Sequence, residues 1–90
     1  MPHSYKRARE RVEEAESKFM IASFNEARSA CDIELTEQCI SDLCDAAKAI
    51  KESGKHEANV EDAKAFLSNV AKAKKNAKLA AQASKCNKML

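Results

Sequence analysis

Glycine and proline are nearly missing from this chain. Its 90 residues contain one of each, Gly54 and Pro2. An all-β fold needs many tight turns built from such residues, so that class is not expected. Aromatic residues are scarce as well: no tryptophan, one tyrosine and three phenylalanines. With a lone glycine there is no phosphate-cradling loop of the P-loop or dinucleotide kind. Little remains to line a deep pocket, so neither a cofactor nor a small-molecule substrate is expected. No run of about 18 apolar residues occurs, and no membrane span is expected. The opening Met1-Pro2-His3-Ser4-Tyr5-Lys6-Arg7 leads into charge rather than an apolar core, unlike a secretory signal. A cytoplasmic location is therefore the expectation, and with it four free thiols at Cys31, Cys39, Cys44 and Cys86.

Acid is missing from one end only. Ala63 to Leu90 carries seven lysines (Lys64, Lys72, Lys74, Lys75, Lys78, Lys85, Lys88) and no acid. The stretch from Glu26 to Asp62 carries ten acids against four bases. The net charge of +2 conceals this polarity. One end is suited to an acidic partner, while the middle is able to answer it internally.

What is present in abundance favours helix. Alanine, lysine, glutamate and serine dominate, and three of these four are good helix formers. Apolar residues recur at spacings of 3 and 4, which argues against disorder. The whole chain, 1–90, reads as a single helical domain with a thin core. Tyr5, Ala8, Val12, Ala15, Phe19 and Ala22 form one stripe of a first helix over about residues 4–30, with Ser4 as its N-cap. Met20, Phe24, Ala27 and Cys31 open a second stripe roughly 120° away. Either both stripes are core, or Met20, Ile21 and Phe24 belong to a docking surface.

A second helix over about residues 35–53 carries Ile40, Leu43, Ala47 and Ile50 on its apolar face, with Cys39 and Ala46 at one edge. Asp32 or Thr36 is placed to cap it, and Gly54 ends it where a left-handed cap is required. Asn59 reads as the N-cap of a third helix over about residues 59–86, whose buried face is Val60, Ala63, Phe66, Leu67, Val70, Ala77 and Ala81. Short connections favour an up-down-up three-helix bundle. At 1.5 Å per residue the helices measure roughly 40, 28 and 43 Å. The middle one is too short to cover both others, which motivates a homodimer or a bound target.

No residue set reads as catalytic. Cys39 and Cys44 sit roughly 140° apart around one helix, so they do not chelate a common ion, and no metal site is expected. An up-down-up path brings Cys86 toward Cys31, yet thiols filling a small core remain the reading. His3 and His56 lie in a tail and a turn with no triad spacing. Paired carboxylates such as Asp42 with Asp45 read as solvent-facing.

The lysines carry the strongest remaining signal. On one continuous helix Lys64, Lys75, Lys78 and Lys85 fall within roughly 80°, flanked by Lys72. This face is solvated and partly neutralised by Glu37, Asp42, Asp45 and Glu52, or it meets an acidic protein surface, or it meets nucleic acid. Lysine contacts phosphate as a point charge, so nucleic-acid binding would be nonspecific. The function expected is a non-enzymatic protein–protein interaction module: an adaptor, an inhibitor of a partner protein, or an assembly subunit. Met20, Ile21, Phe24, Lys72, Lys75, Lys78 and Lys85 are its partner-binding candidates. The alternative is a nucleic-acid-binding regulator that uses the third helix.

Overall fold

The computed structural model describes the backbone of residues 2–73 and 75–90, and the side chains of 17–73 and 75–90. The described residues form four helices and no strand: α1 (Pro2–Ile33), α2 (Glu37–Ser53), α3 (Glu57–Ala73) and α4 (Ala77–Met89). The all-helical expectation holds. The count of three does not.

The missed boundary lies in the expected third helix. Asn76 stands at φ −140°, ψ 112°, and its side chain accepts hydrogen bonds from the backbone N–H groups of Lys78 and Leu79. An asparagine that satisfies two otherwise orphaned N–H groups starts a new helix there. The break resets the helical phase. Ala77 and Ala81 are therefore exposed, and Ala83, Cys86 and Leu90 are buried in their place. Upstream of the break Val60, Ala63 and Leu67 are buried as expected, with Phe66 and Val70 packed against them.

The other helix ends follow local chemistry. α1 opens at Pro2, two residues ahead of the expected Ser4 cap; proline suits a first helical turn, where its missing N–H has no partner to lose. The side chains of Ser4, Tyr5, Ala8, Val12 and Ala15 lie outside the described residues. Of the two proposed caps of α2 it is Thr36 that serves, accepting from Cys39 N–H at 3.1 Å. Gly54 closes α2 at φ 72°, donating its N–H to Lys51 O; a side chain at this φ would be strained. Asn59 is not the cap of α3, which begins at Glu57 after His56 turns the chain at φ 59°.

Cross-helix contacts set the directions. Cys31 meets Cys39 at one end of α1 and α2, and Ser17 meets His56 at the other, so these two helices are antiparallel. Arg28 of α1 reaches Asp62 and Phe66 of α3, which therefore runs parallel to α1. Glu37 contacts Lys78 and Gln82, Cys44 contacts Cys86, and Lys51 contacts Met89, so α4 runs parallel to α2. The path is up-down-up-down, with α2 packed on all three others. At 1.5 Å per residue, the 32 residues of α1 and the 17 of α2 span roughly 48 and 26 Å. Thus α2 covers only the C-terminal half of α1, and the molecule is elongated, 58 × 23 × 16 Å.

The core is a single cluster. Ile40, Leu43, Ala47 and Ile50 of α2 are fully buried with Ala63, Leu67 and Ala83. From α1 come Phe24, Ala27 and Cys31. The second stripe of α1 is thus the core stripe. Phe19 and Ala22 of the first stripe face solvent, Phe19 at 74% exposure. The Arg28 guanidinium lies 3.9 Å over the Phe66 ring, close enough for a cation–π attraction, and pairs with Asp32 at 2.5 Å and with Asp62 at 3.5 Å.

The expectation of free thiols is overturned. All four cysteines are paired, Cys31 with Cys39 and Cys44 with Cys86, at Cα separations of 5.3 and 6.0 Å. Cys31 ends α1 and Cys39 starts α2, so one bridge clamps a hairpin. The other ties α4 to the middle of α2. Cys86 reaches Cys44 rather than Cys31 because the break between α3 and α4 sends α4 back along α2. Both bridges constrain a small core that buries little surface by itself.

The bridges close loops of very different length, 8 and 42 residues in sequence separation. Loop-closure entropy assigns about 2.5 kcal/mol to the first and about 4 kcal/mol to the second. Denaturant unfolding of Cys31→Ser/Cys39→Ser and Cys44→Ser/Cys86→Ser variants should show the larger loss in the second. Phe24, 3% exposed, should cost about 3–5 kcal/mol when cut to alanine. A loss below about 1 kcal/mol would place Phe24 on the surface after all.

Candidate functional site

The sequence-derived candidates do not form one surface. Phe24 belongs to the core, so of the Met20/Ile21/Phe24 patch only the half-buried Met20 and Ile21 reach the surface. These two diverge. Met20 lines a groove between α1 and α2, whereas Ile21 borders a shallow depression with Ser17 and His56. A 100° step per residue explains the split: adjacent helical residues point to different neighbours.

The lysine arc is also divided. It was drawn on a helix running unbroken to Cys86. In the fold Lys72 ends α3, Lys75 lies in the connection, and Lys78 and Lys85 lie on α4. Lys64, on α3, sits 3.8 Å from Glu61. Lys78 Nζ lies 2.8 Å from Glu37 Oε1, at the N-terminus of α2. That carboxylate, by hydrogen bond first and by charge second, raises the Lys78 pKa above its ordinary value. Glu37 thereby answers the lysines from within, as one of the sequence readings expected. The side chains of Lys72, Lys75, Lys85 and Lys88 are exposed and have no ion pair or hydrogen bond among the described residues.

The α4 surface has a regular composition. Ala77, Lys78, Ala81, Lys85, Lys88 and Met89 are all exposed, and at 100° per residue they share an arc of roughly 120°. The opposite side packs inward through Leu79, Ala83 and Cys86.

The α1/α2 groove is a concavity of about 480 Å³. Ala27, Ala30, Ala46 and Ala49 form its floor and sides, and Phe19 and Met20 stand at one end. Glu26, Asp42 and Asp45 edge it, and no basic residue does among the described residues. Asp42 accepts a hydrogen bond from Gln38 Nε2 at 2.8 Å; Glu26 and Asp45 have no partner among the described residues. Sequence reasoning missed this groove. Its signal was the set of alanines at helical spacing on both helices, which leave a trough because they fill so little volume.

One polar contact resembles catalytic geometry. Ser17 Oγ lies 2.7 Å from His56 Nε2. Neither side chain has a further partner among the described residues, so no third group orients the imidazole as a nucleophilic site requires. Together they clasp the α2–α3 turn against α1. No group of three or more His, Cys, Asp or Glu suited to a metal ion occurs among the described residues. None of their helices is long and apolar enough to cross a membrane. Comparison with protein-family models, curated proteins and solved structures finds no match.

The raised Lys78 pKa has a definite sign. A lysine whose pKa is higher in the folded state lends stability that is complete below its unfolded value of 10.5. That contribution disappears as pH climbs through the folded value. Glu37→Gln should return the Lys78 titration, followed by NMR at its Nζ, toward the ordinary lysine value. An unmoved titration midpoint would show that Glu37 is not the cause.

Proposed function

We propose that this chain is a non-enzymatic protein–protein interaction module, an adaptor, inhibitor or assembly subunit, that works in an oxidising compartment. The observation that carries the reading is the pairing of all four cysteines in a chain of this size. Small domains whose cores are too thin to hold them rigid are stapled in this way where thiols are oxidised. The cytoplasmic expectation rested on the charged opening of the chain and carried free thiols with it; four paired cysteines favour an oxidising compartment instead.

A stapled helical bundle offers fixed surfaces. Rigid side chains lose less entropy on association than mobile ones, so preorganisation favours binding. The exposed Phe19 and the half-buried Met20 supply apolar anchors. The lysines Lys72, Lys75, Lys78 and Lys85 supply charge for an acidic partner. In this reading anchors provide affinity, and lysines provide encounter rate and orientation. The division of those lysines among α3, a connection and α4 weighs against the nucleic-acid alternative, which was drawn on one continuous basic helix.

Capture from cells and extracellular fluid of the source, with nuclease present and the disulfides intact, tests the reading. A discrete protein should be retained by the wild type and recovered at least tenfold less by a Lys72→Gln/Lys75→Gln/Lys78→Gln/Lys85→Gln variant. Recovery of nucleic acid alone, abolished by nuclease, would overturn it. So would equal recovery of the same proteins by both forms.

A further inference from the structure

The α4 surface and the α1/α2 groove match each other. The groove is apolar in its floor, through Ala27, Ala30, Ala46 and Ala49, and acidic at its edges, through Glu26, Asp42 and Asp45. The α4 face alternates alanine with lysine: Ala77, Lys78, Ala81, Lys85 and Lys88 are exposed, and this helix holds no acid. Small residues on both sides allow helix axes to approach closely, toward the lower end of the usual 8–10 Å. The lengths agree as well. From Phe19 to Ala30 the groove runs roughly 17 Å along α1, and the 13 residues of α4 span roughly 20 Å.

Within one molecule the two faces do not meet. α4 packs on α2 through Cys86, Ala83 and Leu79, which turns its lysines outward. The groove opens on the side of α2 that carries Asp42, Asp45, Ala46 and Ala49. Asp45 stands on the ridge between them and also borders the α2–α4 cleft with Lys85, without an ion pair between the two.

We propose that the groove of one copy receives α4 of a second copy. The inference rests on the preceding reading of the lysines as a binding surface and names their acidic partner as this same chain. The exposed Phe19, at 74%, stands where the incoming helix ends and is covered by it. The contact is heterologous, because a patch on one copy meets a different patch on the next, so it builds a ring or a chain of copies. One helix in one groove buries less than the roughly 1,200 Å² of a stable specific interface. Association is therefore weak, concentration-dependent and salt-sensitive.

Sedimentation velocity of the oxidised protein tests the proposal. At about 20 mM salt the average mass should rise above the monomer's 9.9 kDa as concentration goes from about 10 µM to about 1 mM, and should fall back at about 0.5 M salt. A groove variant, Glu26→Lys/Asp42→Lys, and a face variant, Lys85→Glu/Lys88→Glu, should each remain monomeric. Mixed in equal amounts they should associate again, because each restores the other's charge match. Circular dichroism confirms that both retain the helical fold. Should either fail to fold, Ala30→Gln/Ala49→Gln, at two exposed positions, fills the groove without altering charge and should weaken association at least tenfold. A wild type that stays monomeric throughout, a mixture that does not associate, or unchanged association in the filled-groove variant overturns the pairing. Monomeric behaviour alongside lysine-dependent capture of a foreign protein would remove self-association while leaving the interaction-module reading in place.

Discussion

The bridge between Cys44 and Cys86 is the constraint on which the fold depends most. It fixes α4 along α2 across 42 residues of sequence. α4 and the Leu90 that follows it bring Ala83, Cys86 and Leu90 to the core as buried residues, with Leu79 partly so. So few side chains remove little apolar area from water, at roughly 25 cal/mol per Å². The covalent link shrinks the unfolded ensemble instead. It also holds Lys78 beside Glu37 and Gln82 against the Glu37 carbonyl.

α2 is the organising element of the packing. It is flanked by the other three helices and presents Ile40, Leu43, Ala47 and Ile50 with no exposed surface. Its outer side carries the acids and alanines of the groove, while its N-terminus places Glu37 beside α4. One helix thus divides its circumference between core, internal ion pair and open surface. The alternation of large aliphatic, small and acidic residues along Glu37–Ser53 encodes that division.

Much of this was legible in the residues. The α2 stripe, its Thr36 and Gly54 ends and the inward face of early α3 followed from periodicity and capping chemistry. What was not legible had specific causes. Asn76 interrupts a lysine- and alanine-rich run whose helix propensity is otherwise high, so propensity alone carried the third helix through it. A phase argument then placed Ala77 and Ala81 inside and joined Lys72 to Lys78 in one arc, which the break between α3 and α4 divides. Phe24 stood either in a core stripe or in a docking surface on paper; only the position of α2 decides between the two. The cysteines were judged by spacing along a helix, whereas Cys31 and Cys39 face each other across a hairpin. The groove depends on two helices meeting, and no single-helix pattern displays it.

Both disulfides pass through α2, and α3 carries no cysteine. The connections on either side of α3, exposed at 54–56 and at 75–76, are places where a protease would enter. A nick at either one leaves two polypeptides still joined through Cys44 and Cys86. The covalent graph of the molecule therefore tolerates backbone scission around α3, and the two pieces of a singly cut chain stay joined until a reductant separates them.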